Sequence, residues 1–319
     1  MTNPLSRRDA LKQLGVVGAG FMLGGDILRG RAADIVIAGR PVELAVVSLS
    51  HETLRLTVRP LQLGVAAPVP VTGQLAAERA GRVVTRARAA SDLARARAGG
   101  LVVKFTDGPP TIRVETEQGA LVQQLTFDAS APGMSFRLGQ GPLLGLGEGG
   151  PQFDRKGTTD QMKIGQGGYH LATHGTRAPI QWLVGTDGWA MFIHQPFGAF
   201  DFTGAEGKFV PRPGAELPLD VFVVSSRDPA VIMREYARST GLPELPARWG
   251  FGYLQSHRTL AGPDEIAGVA RTMREKKLPC DGLIYLGTGF SPSGWNTRNG
   301  DFAWSATNFP SPRAQVAAL

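Results

Sequence analysis

The chain has 319 residues, enough for about two domains, and its 42 glycines, 23 prolines and 42% hydrophobic content exclude a disordered chain in favour of a turn-rich globular protein. Its net charge of +7 is front-loaded, because residues 1–33 carry Arg7, Arg8, Lys12, Arg29 and Arg31 against Asp9 and Asp26. The weakly basic remainder has no basic-aromatic motif, which argues against nucleic acid as a partner.

Ser6-Arg7-Arg8-Asp9-Ala10-Leu11-Lys12 has the form of a twin-arginine export signal. The apolar stretch from Leu14 to Gly25 is too short and too glycine-rich to span a membrane, so it reads as a signal h-region with cleavage after Ala32 or Ala33. An ordinary basic N-terminus is the alternative. The expectation is a periplasmic or secreted protein, free of the membrane once residues 1–33 are removed. No Cys near the cleavage point suggests a lipid anchor, and Cys280 alone allows no internal disulfide.

Residues 34–226 are dominated by a two-residue hydrophobic period. Leu54–Val58, Ile112–Glu115 and Met134–Leu138 alternate apolar and polar side chains. Leu101–Phe105, Gln123–Phe127, Ile180–Val184, Trp189–Ile193 and Leu219–Val224 are further strands. Turn pairs such as Asp107-Gly108 and Asp187-Gly188 separate them. Many short strands with such punctuation predict an antiparallel β-sandwich. Gln74–Ala98, rich in Ala and Arg, breaks the pattern and reads either as a helix or as a solvated insertion.

Gly145, Gly147 and Gly150 satisfy a dinucleotide-binding glycine pattern. The loop-like Pro151 and Asp154–Gly157 that follow favour a glycine-rich turn instead. His170 and His174 have a metal-like spacing, but Gly167, Gly168, Gly175 and Pro179 put them in a loop without an evident third ligand, so no metal is expected. His174 remains a candidate for contact with a ligand near that loop. No nucleophile elbow supports serine hydrolase chemistry.

Residues 227–246 read as a helix and a stiff linker. Asp228 is the N-cap, Pro229 the first helical residue and Gly241 the C-cap near Ser239, followed by Leu242-Pro243-Glu244-Leu245-Pro246.

Residues 247–319 change character. Phe251, Tyr253 and Leu254 form an apolar run long enough for a buried strand. Pro263, Asp264 and Glu265 open a helix whose apolar residues Ile266, Val269, Ala270 and Met273 recur at helical spacing; Arg274, Lys276, Lys277 and Pro279 close it. Leu283–Leu286 is a second apolar run, as for a strand buried on both faces. Strand, helix and strand make one βαβ unit.

The residues of this segment, P-A-R-W-G-F-G-Y-L-Q-S-H, then L-P-C-D-G-L-I-Y-L-G-T-G-F, then F-A-W-S-A-T-N-F-P-S-P, resemble the opening of the catalytic barrel of glycoside hydrolase family 31. Leu144–Glu148 is similar to the family's GLGE motif, and Trp182–Phe192 with Pro196–Asp201 to its strand and P-x-G-x-F-D turn, so the resemblance runs through most of residues 140–315. It implies a galactose-mutarotase-like sandwich ahead of a (β/α)8 barrel. Such a barrel needs about 250 residues, whereas 73 run from Ala247 to Leu319. The expectation is therefore a barrel represented by its first two βα units.

The resemblance further implies a retaining α-glycosidase that needs no cofactor and takes an α-linked glycoside as its partner. Its nucleophile and acid/base are aspartates on later barrel strands, so no catalytic residue is assigned within residues 1–319. Strand ends at the C-terminal face of a barrel line its site, which makes Gln255, His257, Gly287, Thr288, Phe290 and Trp295 candidate sugar contacts, with His174. One departure stands out. Aligning Pro279-Cys280-Asp281 with the family's P-x-D puts Gly287 and Gly289 where many members hold sugar-binding aspartates. This marks either a subgroup with its own substrate or a loss of activity. Two alternatives stay open: a non-catalytic carbohydrate-binding or structural sandwich, and an active mutarotase, for which no convincing His/Glu set is visible.

Overall fold

The computed structural model describes residues 34–76, 81–150, 152–162, 178–195, 198–257, 262–285, 289–290 and 303–319. The export-signal reading of residues 1–33 and the loop reading of His170 and His174 lie outside them. The chain divides between Leu242 and Pro243 into two compact units.

The first strands are β1 Val36–Ile37, β2 Arg40–Ser48, β3 Thr53–Gln62, β4 Val65–Ala66, β5 Arg82–Ala87 and β6 Ala96–Ala98. Next come β7 Leu101–Thr106, β8 Thr111–Thr116, β9 Leu121–Phe127, β10 Met134–Arg137, β11 Leu143–Glu148, β12 Thr159–Asp160 and β13 Ala178–Gly185. The first unit closes with β14 Trp189–Ile193, β15 Gly198–Asp201, β16 Glu206–Pro211, β17 Leu219–Ser225 and helix α1 Pro229–Thr240. The second unit holds β18 Leu254–His257, α2 Pro263–Glu275, β19 Gly282–Tyr285 and α3 Pro312–Ala318.

The first unit is the expected antiparallel sandwich. One sheet runs β1-β2-β3-β17-β14-β13-β11, with β5 beside β2 and β4 beside β3; the other runs β12-β15-β16-β10-β9-β8-β7-β6. Period-two alternation decides which residues enter the core. Leu54, Leu56 and Val58 on β3 are buried in the same cluster as Leu183, Trp189 and Met191 of their own sheet and Phe136, Phe200 and Phe209 of the other. Trp189 meets Phe136 edge-on at 6.5 Å. Its register partner is Gly185, where a Cβ would sit 2.1 Å from the indole, so only glycine leaves room for the ring.

The outer face of the larger sheet carries α1. Ile232 and Tyr236 pack on Trp182, Phe192 and Phe222. The helix ends where its sequence dictates: Asp228 accepts a bond from the Ala230 amide at 2.8 Å, and Gly241 takes a left-handed φ of 95°. Glu235, buried under the helix, accepts bonds from Thr53 Oγ1 at 2.6 Å and Ser50 Oγ at 2.9 Å.

The structure departs from the sequence expectation in four places. Residues 82–98 are neither one helix nor a solvated insertion: they form β5, a four-residue 3-10 helix at Ala90–Leu93 and β6. Val83, Val84 and Thr85 are β-branched and pair with β2 as β5, while Ala87 and Ala98 are fully buried, small enough to fit the core. The GLGE segment is strand β11 with a bulge between Gly145 and Gly147, not a turn. Leu146 has a φ of 63° there, and Cβ atoms on Gly145 or Gly147 would approach backbone oxygens to 2.1 and 2.2 Å. Arg248–Phe251 form a 3-10 helix rather than a strand, leaving Phe251 and Tyr253 exposed, and the strand starts at Leu254. β19 is not buried on both faces, because Ile284 is exposed.

The second unit is the expected βαβ arrangement. β18 and β19 pair in parallel, with α2 between them in sequence. Ile266 and Phe309 are fully buried, and Val269, Leu283, Tyr285 and Phe290 pack around them.

Candidate functional site

The parallel register sets Gln255 beside Leu283 and His257 beside Tyr285, so the C-terminal ends of both strands open at one edge. This is the edge where the polar candidates were expected. Gln255 Oε1 accepts the Tyr253 hydroxyl at 2.6 Å, and its amide donates to Ser256 O at 2.9 Å. The side chain is therefore held along the strand by local partners.

Phe290, immediately beyond β19, belongs to an aromatic cluster. It stands edge-on to Trp304 at 6.4 Å, Trp304 stands edge-on to Tyr285 at 5.8 Å, and Tyr285 stacks on Phe309 at 6.0 Å. A cavity of about 570 Å³ runs from this cluster along β19 toward its N-terminal start, between Met273 of α2, Cys280 and Asp281 ahead of the strand, and Val316 of α3, and Gln255 is not in its lining. Burial pushes the Tyr285 hydroxyl above its ordinary pKa, and its oxygen has no hydrogen-bond partner among the described residues. A neutral buried donor beside such a cavity offers a polar contact in a largely apolar wall.

Of the sequence candidates, Gln255 and Phe290 are thus located, the first on β18 and the second in the cavity wall. The backbone of His257 closes β18. Gly287, Thr288, Trp295 and His174 lie outside the described residues. Tyr285 and Trp304 were not singled out by sequence. Their signal was the aromatic spacing around Phe290, which the expectation for the strand tips had passed over. Among the described residues no group of three His, Cys, Asp or Glu is placed to hold a metal ion.

The sandwich carries a second polar constellation that sequence did not reveal. On the outer face of the larger sheet, fully buried Asp220 receives Arg55 through Nε and Nη2, each at 2.7 Å, and Thr57 Oγ1 at 3.0 Å. His194 Nδ1 meets the same carboxylate at 3.1 Å, and Nε2 meets Thr72 Oγ1 at 2.6 Å. Burial alone would raise the Asp220 pKa; the bonds from His194 and Arg55 outweigh it and hold the group below its ordinary value. A carboxylate already saturated by four donors is poorly placed to act as the general base that a mutarotase needs.

Residues 243–319 match the family described as the glycosyl hydrolases family 31 TIM-barrel domain. The chain is related to the family 31 glycosyl hydrolases. An α-xylosidase of Saccharolobus solfataricus is 29% identical over 101 residues, covering 32% of this chain and 13% of the relative. Alpha-glucosidase 2 of Bacillus thermoamyloliquefaciens is 30% identical over 122 residues, covering 38% and 14% respectively. A Flavobacterium johnsoniae family 31 dextranase solved with glucose matches the fold with a TM-score of 0.67 at 16% identity, covering 87% of this chain and 34% of that one. The matched region thus spans about a seventh of the length of these curated family 31 relatives, and about a third of the dextranase.

Proposed function

We propose that this chain supplies the sandwich and the first βαβ part of the catalytic barrel of a retaining α-glycosidase, acting on an α-linked carbohydrate. The observation that carries the reading is the parallel β18-α2-β19 unit within the segment matched to the family 31 barrel. In a barrel, the side chains beyond such strand ends meet the substrate. Gln255, His257, Gly287, Thr288, Phe290 and Trp295 would contact the sugar, and His174 is a further candidate contact.

Retention requires two carboxyl groups about 5 Å apart, one attacking the anomeric carbon and the other moving the proton. In this reading both belong to barrel strands that follow β19, and residues 1–319 bind and orient rather than perform the covalent step. Residues 1–33 would direct export by the twin-arginine route to the periplasm or beyond. Gly287 and Gly289, at positions where many family members hold sugar-binding aspartates, set simple terminal-α-glucose specificity aside, in favour of either a distinct substrate or lost activity.

The test joins residues 34–319 to the remaining barrel of a family 31 enzyme and follows the anomeric proton by NMR during turnover of an aryl α-glycoside. Retained configuration is expected. His257→Ala or Trp295→Ala should lower activity, while replacing His51, which is exposed in a sandwich bend, should not. An inverted product, or activity indifferent to both strand-end substitutions, would reject the assignment.

A further inference from the structure

A ring of arginines occupies the outer face of the larger sheet. The register aligns Arg86 on β5, Ala45 on β2 and Thr57 on β3 in one cross-strand row. The neighbouring rows pair Val47 with Arg55 and Glu43 with Arg59. Residues paired across antiparallel strands share a face, so the arginines of three rows surround the single methyl group of Ala45. The result is a cavity of about 150 Å³, lined by Ala45, Arg55, Thr57, Arg59, Val69 and Arg86 among others.

The acids nearby do not exhaust these cations. Glu43 takes Arg88 through Nε at 3.0 Å and Nη2 at 2.9 Å, and also binds Arg59 through Nη2. Asp220 takes Nε and Nη2 of Arg55. Arg86 reaches Glu43 only at 4.0 Å and makes no hydrogen bond among the described residues. Arg59 Nε likewise has no partner there. Four arginines face two carboxylates, leaving positive charge and unused donors around a pit whose apolar lining is Ala45 with Val47, Val69 and Val83.

We propose that this pit binds a small oxyanion, a carboxylate or phosphate group, held by Arg55, Arg59 and Arg86. Planar guanidinium groups match such anions in both charge and donor geometry, whereas a neutral sugar offers nothing to offset the excess charge. The inference stands apart from the glycosidase reading, because it concerns the sandwich and needs no barrel. The anion has two sources: the uronate of an acidic saccharide, or free phosphate.

The experiment titrates the full chain with inorganic phosphate, with glucuronate and with glucose, by calorimetry at constant ionic strength. Saturable binding of at least one anion, and none of glucose, is expected. Binding of glucuronate alone assigns an acidic saccharide, and binding of phosphate alone assigns the free anion. Arg86→Gln, at an exposed side chain that holds no structural bond, should weaken binding at least about tenfold, the loss of one charge-assisted contact. Ala45→Leu should abolish binding by filling the pit while leaving the charges in place. Failure of both anions to bind, or affinity unchanged in Arg86→Gln, would overturn the proposal.

Discussion

Replacing Asp220 by Asn tests what holds the larger sheet's outer face together. The two side chains are nearly isosteric, so the change removes charge and one acceptor without opening a cavity. In the native protein the carboxylate receives Arg55 twice, Thr57 and His194. The amide would turn an N–H toward either Arg55 or His194, setting donor against donor. Breaking a buried ion pair on one side costs about 3–5 kcal/mol. The Arg55 side chain is 22% exposed and also lies over the Phe222 ring at 5.2 Å, so it retains water and a cation–π contact. The lower end, about 3 kcal/mol, is therefore expected, a fall in melting temperature of roughly 10 °C for a unit of this size. Urea unfolding followed by far-UV circular dichroism reads the change from the strands directly. Arg55→Met combined with Asp220→Leu should recover part of the loss, because an apolar pair leaves neither charge stranded, although His194 and Thr57 lose their acceptor. A single Asn variant within about 1 kcal/mol of the parent, or a double variant as unstable as the single one, would refute the reasoning.

Acid should destabilise the protein in a defined window. Hydrogen bonds outweigh burial and hold both folded pKa values below ordinary carboxylate values, from His194 and Arg55 at Asp220 and from Arg88 and Arg59 at Glu43. Their stabilisation is present at neutral pH and is lost as pH falls below about 4, through the folded values; melting curves from pH 7 to 3 should show this, with a shallower slope in Asp220→Asn. Self-association should follow the second unit, where Trp249, Phe251, Tyr253 and Ile284 are exposed: residues 34–319 should sediment as oligomers under conditions in which residues 34–241 remain monomeric, and a monomeric longer chain with a higher melting temperature would contradict this. Replacing Arg7 and Arg8 by Lys should leave the protein in the cytoplasm of an expressing bacterium, and unchanged export on fractionation would remove the twin-arginine assignment.

How far the sequence could be read depended on how local each signal was. Helix α1 was legible to its caps because Asp228, Pro229 and Gly241 act on backbone groups a few residues away. Strands such as β8 and β14 were legible from a handful of alternating or continuous apolar residues. β5 was not, because Arg and Ala favour a helix in isolation, and only pairing with β2 makes Val83 to Thr85 extended. The bulge in β11 escaped because a glycine pair reads as a turn until a neighbouring strand fixes its register. The Asp220 constellation was invisible for the same reason at longer range: Arg55 lies 165 positions away, and Thr72 and His194 are 122 apart. At the candidate sugar edge, the family resemblance located the strand ends, but the Tyr285 and Trp304 contacts with Phe290 emerged only from packing.

The most direct measurement of the central claim is turnover of aryl α-glycosides by purified residues 34–319. The account assigns these residues to binding and framework, with the nucleophile and acid on barrel strands that follow them. It predicts no hydrolysis above the uncatalysed rate, since in this reading the carboxylate pair of the covalent route lies on those later strands. Clear turnover with retained anomeric configuration would contradict it, because the nucleophile would then lie among side chains described here as structural.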